Sequence, residues 1–195
     1  VEGGLVYQVF GGSNTNGIVK GVASVNLDPQ DDCELVNHSI FGGGNEAPGG
    51  STVVTIPCVT TGINDVYGGA NEALITGDVI LNILGGSMNR VFGGSRNAEI
   101  DGNVTVNITG GSIDTVFGGN NVDGNITGQI DVNIDWGNNT CTDPLYIGTV
   151  FGGGNEARYQ PSSAALVSLS VNIVQATVSE DIFGGGNGTT RTATS

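Results

Sequence analysis

Positive charge, cysteine and long apolar runs are all scarce in this 195-residue sequence. Five Lys and Arg residues stand against 19 Asp and Glu residues, so the formal net charge is −14. Such a balance repels nucleic acid and anionic membrane surfaces, and neither is an expected partner. The apolar runs are short, whereas a membrane-spanning helix needs about 20 apolar residues, so no membrane insertion is expected.

The chain also lacks the residue combinations of common catalytic sites. Its single histidine, His38, lies beside no obvious nucleophile, and its three cysteines match no zinc spacing. Five scattered basic residues form no cationic groove for a polysaccharide lyase, and no two acids face each other across a cleft as in a glycoside hydrolase. The sequence predicts a protein that is not an enzyme. A carbohydrate-binding or carbohydrate-processing module remains the alternative.

What the sequence does contain is a repeat rich in glycine, which supplies 35 of the residues. A Val or Ile, an aromatic residue and two glycines occur together seven times, and successive aromatic residues are 31, 26, 25, 25, 34 and 32 positions apart. A period near 25 that departs only upward is typical of a solenoid whose turns carry insertions. The aromatic positions are Phe10, Phe41, Tyr67, Phe92, Phe117, Phe151 and Phe183.

Six segments alternate apolar and polar residues in the manner of half-buried strands: 22–27, 52–56, 79–83, 104–108, 130–134 and 169–173. A second strand leads into each aromatic residue, and a weaker third segment follows the glycine pair. We expect that pair to turn a corner with positive φ, which glycine adopts freely. The sequence predicts an all-β fold, a right-handed parallel β-helix with three sides and about seven turns, as one domain over 1–195.

Equivalent residues on stacked turns should form columns. The aromatic rings are predicted to stack inside the core, and two asparagine columns to form amide ladders along the axis. One column follows the glycine pairs and includes Asn45, Asn71 and Asn155, with Arg96 as the exception. The other lies on the outer face of the alternating strands and comprises Asn26, Asn82, Asn107, Asn133 and Asn172, with Thr55 in the gap.

Three insertions, at 28–39, 57–62 and 135–146, lengthen one edge of the solenoid, where the alternating strand turns into the second strand, and another at 157–166 lengthens the corner before the last alternating strand. Loops on one edge of a solenoid are where binding functions usually lie. Asn37 and Asn138 on this edge are candidate glycosylation sites, because each begins an Asn-x-Ser/Thr sequon.

The cysteines lie on the same insertion edge. Cys33 and Cys58 fall on adjacent turns, within disulfide reach, so the sequence predicts a bond between them. Cys141 lies three turns further, about 14 Å along the axis by the strand spacing, and is predicted to be free or bonded to another molecule.

Two groups of acids are calcium candidates, and no other cofactor is expected. Glu46 and Glu72 occupy equivalent places on adjacent turns, where two carboxylates about 4.8 Å apart can share an ion. An ion pair of Glu72 with Arg96 is the alternative. Asp31, Asp32 and Glu34 form the second group.

The VFGG-type motifs and VNI strands resemble the tandem FGG-containing repeats of large bacterial surface proteins, which are adhesin-like β-solenoids. The resemblance covers nearly the whole chain and carries no catalytic residues. It implies an extracellular or cell-surface protein with a structural or adhesive role, and host or matrix glycans as partners.

The two ends of the sequence suggest assembly. VEGGLVYQVFGG at the start aligns with ITGGSIDTVFGG at 108–119, so Val1 falls in the inward position of Ile108 and Ser195 in the asparagine column. Solenoid ends without a cap expose strand edges that attract another chain. The sequence predicts a head-to-tail homopolymer, with a piece of a longer tandem-repeat protein as the alternative.

Overall fold

The computed structural model describes residues 6–27, 36–58, 62–139, 141, 144–162 and 168–188. Its strands fall into two parallel sheets, which alternate along the chain. The strands that carry the aromatic residues are β1 Val6–Phe10, β3 Val36–Phe41, β5 Gly62–Tyr67, β7 Ser87–Phe92, β9 Ser112–Phe117, β11 Tyr146–Phe151, β13 Thr177–Val178 and β14 Ile182–Phe183. The alternating strands are β2 Ala23–Asn26, β4 Thr52–Ile56, β6 Val79–Ile83, β8 Val104–Ile108, β10 Ile130–Asp135 and β12 Leu169–Gln175.

Each strand pairs with its equivalent on the next turn, and the registers join equivalent residues. Strand β8 pairs with both β6 and β10, so that Asn82, Asn107 and Asn133 are directly aligned. Two strands per turn in two parallel sheets make a β-solenoid, and the predicted parallel β-helix is confirmed. The alternating strand occurs six times in the described residues, so the solenoid has about six turns rather than the predicted seven.

The third side of the solenoid has less strand pairing than predicted. Within the described ranges its segments form isolated bridges rather than strands: these connect Val19, Gly49, Ile75, Ile100 and Ile126 on successive turns, and Asn97 with Asp123. Glycine follows two residues after Ile75, Ile100 and Ile126, and the chain turns there before a continuous ladder can form.

The core is a column of β-branched and aliphatic side chains enclosed by the three sides. Val104, Val106 and Ile108 of β8 are fully buried, whereas Thr105 and Asn107 between them are half-buried on the outer face. The residues at the same inward positions on neighbouring turns belong to one hydrophobic cluster, which extends along most of the body of the solenoid, called the shaft below. Continuous burial of equivalent residues supplies the main stabilisation of a solenoid.

The glycine pairs after the aromatic residues serve a different purpose from the predicted one. Among the described glycines, positive φ occurs at Gly17, Gly86, Gly111, Gly124 and Gly188, and none of these follows an aromatic residue directly. A Cβ at Gly118 would instead overlap the carbonyl oxygen of Gly152 on the next turn. Close approach between stacked turns, rather than an unusual backbone conformation, requires glycine at this corner.

The insertions are shorter than their predicted bounds. Strand β3 begins at Val36 inside the predicted 28–39 insertion, and Asp135 and Tyr146 belong to strands β10 and β11. The helical content of the described chain is one 3₁₀ turn, Trp136–Asn138. No described helix is long and apolar enough to cross a membrane.

Candidate functional site

Seven aromatic rings form one unbroken stack along the solenoid. Successive ring centroids are 4.7–5.0 Å apart, and the ring planes differ by 9° or less. The second to fifth rings are buried, but Phe183 on the last described turn is 45% exposed. The stack has the spacing of the turns themselves, so its last ring presents a face on which another ring can stack.

The first asparagine column is an amide ladder with a fixed direction. Asn45 Nδ2 donates to Asn14 Oδ1 at 2.9 Å, and Asn71 Nδ2 donates to Asn45 Oδ1 at 2.7 Å. Beyond Arg96 the pattern resumes with the same sense, as Asn155 donates to Asn121 and Asn187 donates to Asn155. Every amide donates toward the preceding turn.

The interruption at Arg96 is bridged by two other contacts. Arg96 Nη1 lies 3.3 Å from Asn71 Oδ1, and Asn121 Nδ2 reaches past this turn to donate to the Tyr67 hydroxyl at 2.9 Å. Burial, reinforced by the Asp65 carboxylate, raises the pKa of Tyr67 to about 12. The phenol therefore stays protonated at neutral pH.

The second asparagine column continues on the outer face of the six-stranded sheet. Asn107 Nδ2 donates to Asn82 Oδ1 at 2.9 Å, and Asn133 Nδ2 donates to Asn107 Oδ1 at 3.1 Å. Asn172 extends the ladder to the last alternating strand. Asn26 is aligned with Thr55, and Thr55 with Asn82, so the column crosses a hydroxyl side chain at that turn.

Replacing Asn107 with Leu should lower the stability of the solenoid. Asn107 makes two amide hydrogen bonds in the ladder, and each is worth roughly 1 kcal/mol net, so we expect a loss of about 2 kcal/mol. Chemical denaturation measures this loss. Thr105→Leu on the same face provides the control, because no ladder bond passes through Thr105; an equal loss in both variants would contradict a stabilising role for the ladder.

Only the first of the two groups of calcium candidates lies within the described residues. Arg96 Nη1 lies 3.5 Å from Glu72 Oε1 in an exposed ion pair, and Glu46 is exposed on the neighbouring turn. Asp31, Asp32 and Glu34 lie outside the described residues. Within the described ranges, no three His, Cys, Asp or Glu residues are grouped so that they could hold a metal ion.

One ion pair was not predicted from the sequence. Asp65, which is almost fully buried, accepts two hydrogen bonds from Arg90 at 2.7 and 2.8 Å, and these bonds raise the pKa of the guanidinium. The two residues are one 25-residue period apart, which is the signal that identifies such pairs. Asp65 therefore binds Arg90 on the next turn.

The predicted Cys33–Cys58 disulfide is wrong, because Cys58 is bonded to Cys141. Their Cα atoms are 5.6 Å apart, although 83 residues separate them in sequence. Cys33 itself lies outside the described residues. Sequence spacing placed Cys141 three turns away because it assumed that the insertion stays on its own turn.

The insertion instead folds back along the shaft over two glycine corners. Asn139 Oδ1 lies 2.9 Å from the position that a Cβ would take at Gly110, and Cys141 Sγ lies 2.7 Å from the equivalent position at Gly85. Glycine at these two corners leaves space for the returning chain. The disulfide thus fastens the insertion after β10 to the corner after β4.

The predicted sites at the ends and on the loops fall outside this description. Val1 and Ser195 are not among the described residues, and nothing is described of the side chains of Asn37 and Asn138. What the structure does show is the outer surface of the first and last described turns. Phe183 and Ile182 are exposed on the last turn, and Tyr7 is exposed on the first.

The last glycine pair differs from the interior pairs. A Cβ at Gly11, Gly42, Gly68, Gly93, Gly118 or Gly152 would meet the backbone of the following turn, whereas no described atom lies within 4 Å of this position at Gly184 or Gly185. The interior pairs thus take part in close packing between turns, whereas the last described pair makes no such contact with the described residues.

Comparisons of the chain with protein-family models, curated proteins and solved structures found no match.

Proposed function

We propose that this protein is a structural, non-catalytic shaft whose copies join head to tail. The observation that carries this proposal is the open glycine pair Gly184–Gly185 on the last described turn. A second copy of the chain, with Gly11 and Gly12 on its first turn, is the occupant that fits there. Contact between unlike ends does not close on itself and produces a filament.

The backbone groups at the two ends are complementary. On interior turns the first glycine of each pair donates its N–H to the aromatic carbonyl of the next turn, as Gly93 does to Phe117 at 2.8 Å. At the last turn this role falls to the Gly184 N–H, which has no acceptor within the described residues. The Phe10 carbonyl likewise has no donor there, because no earlier turn is described. Stacking the ends would join these two groups in the interior geometry.

The side-chain columns match in the same way. Because every ladder amide donates toward the preceding turn, Asn187 retains an outward acceptor and Asn14 an outward donor. Phe183 and Phe10 end the ring stack at opposite ends. A head-to-tail joint would therefore extend the ladder and the aromatic stack together, whereas a head-to-head joint would place like amide groups against each other.

An extracellular or cell-surface location belongs to this proposal. The Cys58–Cys141 disulfide is compatible with it, since disulfides persist in oxidising compartments. The FGG-type repeats resemble those of bacterial surface proteins, which supports the same location and an adhesive use of the shaft. The charge of −14 opposes association of copies at low salt, so assembly should strengthen as salt screens the charge.

Gly184→Val should block assembly without destabilising the chain. The added side chain meets no described atom within one copy, but it would collide with the first turn of the next copy. We expect the wild-type chain to form growing species as concentration and salt rise, and the variant to sediment as a monomer with an unchanged unfolding midpoint. Analytical ultracentrifugation measures the first quantity and thermal denaturation the second.

Gly62→Val provides the matched control. Gly62 is also free of described atoms within 4 Å of its Cβ position, but it begins β5 on the flank of the shaft. This variant should assemble as the wild type does. A wild-type chain that stays monomeric at millimolar concentration in high salt, or equal assembly of Gly184→Val and wild type, would overturn the proposal.

A further inference from the structure

Two exposed aromatic residues are explained neither by the core nor by the ends. Trp136 is 48% exposed and Tyr146 is 51% exposed, and both flank the insertion between β10 and β11. They line a groove of about 340 Å³ together with Gln175 at the end of β12 and Thr177 at the start of β13. Leu145 is buried beneath it.

The loop that carries Trp136 is held in place. The Asp135 side chain accepts from the Gly137 N–H at 2.9 Å, and Asn139 N donates to the Trp136 carbonyl at 2.9 Å. The disulfide of Cys141 then fixes the loop to a corner three strands away. A large side chain that is exposed on a fastened loop loses little conformational entropy when it binds a ligand.

The groove is uncharged and mostly apolar, with a few polar groups among its lining residues. None of the described residues that line it carries a charge, although the chain has a net charge of −14. The indole N–H and the Tyr146 hydroxyl add to the amide of Gln175 and the hydroxyl of Thr177, so both donors and acceptors are present. No described cation lines the groove to compensate a sulfate or a carboxylate, and the acidic chain repels anions.

These features match the chemistry of a neutral sugar. A pyranose ring presents an apolar C–H face, which packs on an aromatic ring, and hydroxyl groups at its edge, which need both donors and acceptors. A cavity of about 340 Å³ is also at the lower end of the range of about 300–1,000 Å³ for small-molecule sites. We propose that the Trp136 groove binds neutral oligosaccharide, with Trp136 as the stacking platform and Gln175 and Thr177 as hydrogen-bonding partners.

The test uses the fact that Trp136 is the single tryptophan of the chain, so that its fluorescence reports on this groove alone. The intact protein would be titrated with the neutral probes cellohexaose, mannohexaose and chitohexaose, and with the anionic probes hexagalacturonate and a heparin hexasaccharide. We expect at least one neutral probe to shift the tryptophan emission saturably, and no anionic probe to do so. Calorimetry with the same neutral probe should show binding at least tenfold weaker for Trp136→Ala.

Tyr7→Ala is the matched control, because Tyr7 is an exposed aromatic residue away from the groove, and it should bind as the wild type does. The proposal is overturned if no neutral probe shifts the emission, if the anionic probes bind as well, or if Trp136→Ala retains affinity. An emission shift that follows protein concentration without any sugar would also overturn it, since the groove would then be a contact between copies.

Discussion

Gly118→Ala should destabilise the protein by about 3 kcal/mol, although it adds a single methyl group. A Cβ at this position would overlap the Gly152 carbonyl oxygen, and it would lie 2.7 Å from Val132 Cγ2 and 2.8 Å from Ile130 Cγ2. The added group would face the backbone of Gly152 and buried side chains of β10, so there is no flexible side-chain end that could move aside. The loss greatly exceeds the gain of about 0.4–1 kcal/mol that alanine brings by restricting the unfolded chain.

Gly62→Ala separates this packing effect from the general effect of replacing glycine. No described atom lies within 4 Å of a Cβ at Gly62, so this variant should unfold within about 0.5 kcal/mol of the wild type. Urea denaturation of both variants gives the comparison. Similar stability of Gly118→Ala and Gly62→Ala would mean that the stacked turns are further apart than the structure shows.

Removing the Cys58–Cys141 disulfide should cost about 4 kcal/mol, since the bond closes a loop of 83 residues. The paired substitution Cys58→Ser and Cys141→Ser tests this expectation without reducing agents. The effect should be accompanied by faster proteolysis next to Trp136, because the disulfide links the described part of this loop to the corner after β4. Thermal unfolding and limited proteolysis measure the two consequences.

Cys33→Ser is the control for the disulfide prediction, and it should leave the unfolding midpoint and the protease pattern unchanged. Mass spectrometry of an unreduced digest identifies the pairing directly. A peptide that links Cys33 to Cys58 would contradict the structure and restore the pairing expected from the sequence.

The sequence predicted the strands well because every turn repeats the same local pattern. The predicted segments 52–56, 79–83 and 104–108 coincide with β4, β6 and β8, and the second strands end at the aromatic residues as expected. Period-two alternation and a 25-residue repeat determine the register together, since a one-residue slip would turn Val106 outward and Asn107 inward.

The disulfide and the groove were harder to predict from the sequence, because both depend on the path of an insertion. Residues 135–146 do not follow the repeat, and no periodic signal tells that the chain returns over Gly110 and Gly85. Backbone conformation does not explain both glycines of such a corner. Gly111 does have a φ of 103°, but its neighbour Gly110 is needed for the contact with Asn139.

The asparagine columns were predictable from the sequence. The direction of their hydrogen bonds and the contacts that bridge the interruption at Arg96 were not. A 25-residue period places Asn71 beside Arg96 and Asp65 beside Arg90, but it does not show which group donates. The bond from Asn121 to the Tyr67 hydroxyl spans two turns, which a rule for adjacent turns cannot anticipate. The ladder direction matters most for the proposed assembly, because it makes the amide groups at the two ends of the solenoid unlike.

Electron cryomicroscopy of the protein assembled in high salt tests head-to-tail joining most directly. With Phe10 of one copy stacked on Phe183 of the next, seven ring positions per copy at about 4.8 Å give an axial repeat of about 34 Å. We predict unbranched fibres with this repeat, in which the ring stack and the asparagine ladder continue across each joint. Discrete particles, or pairs of copies related by a two-fold axis, would contradict it.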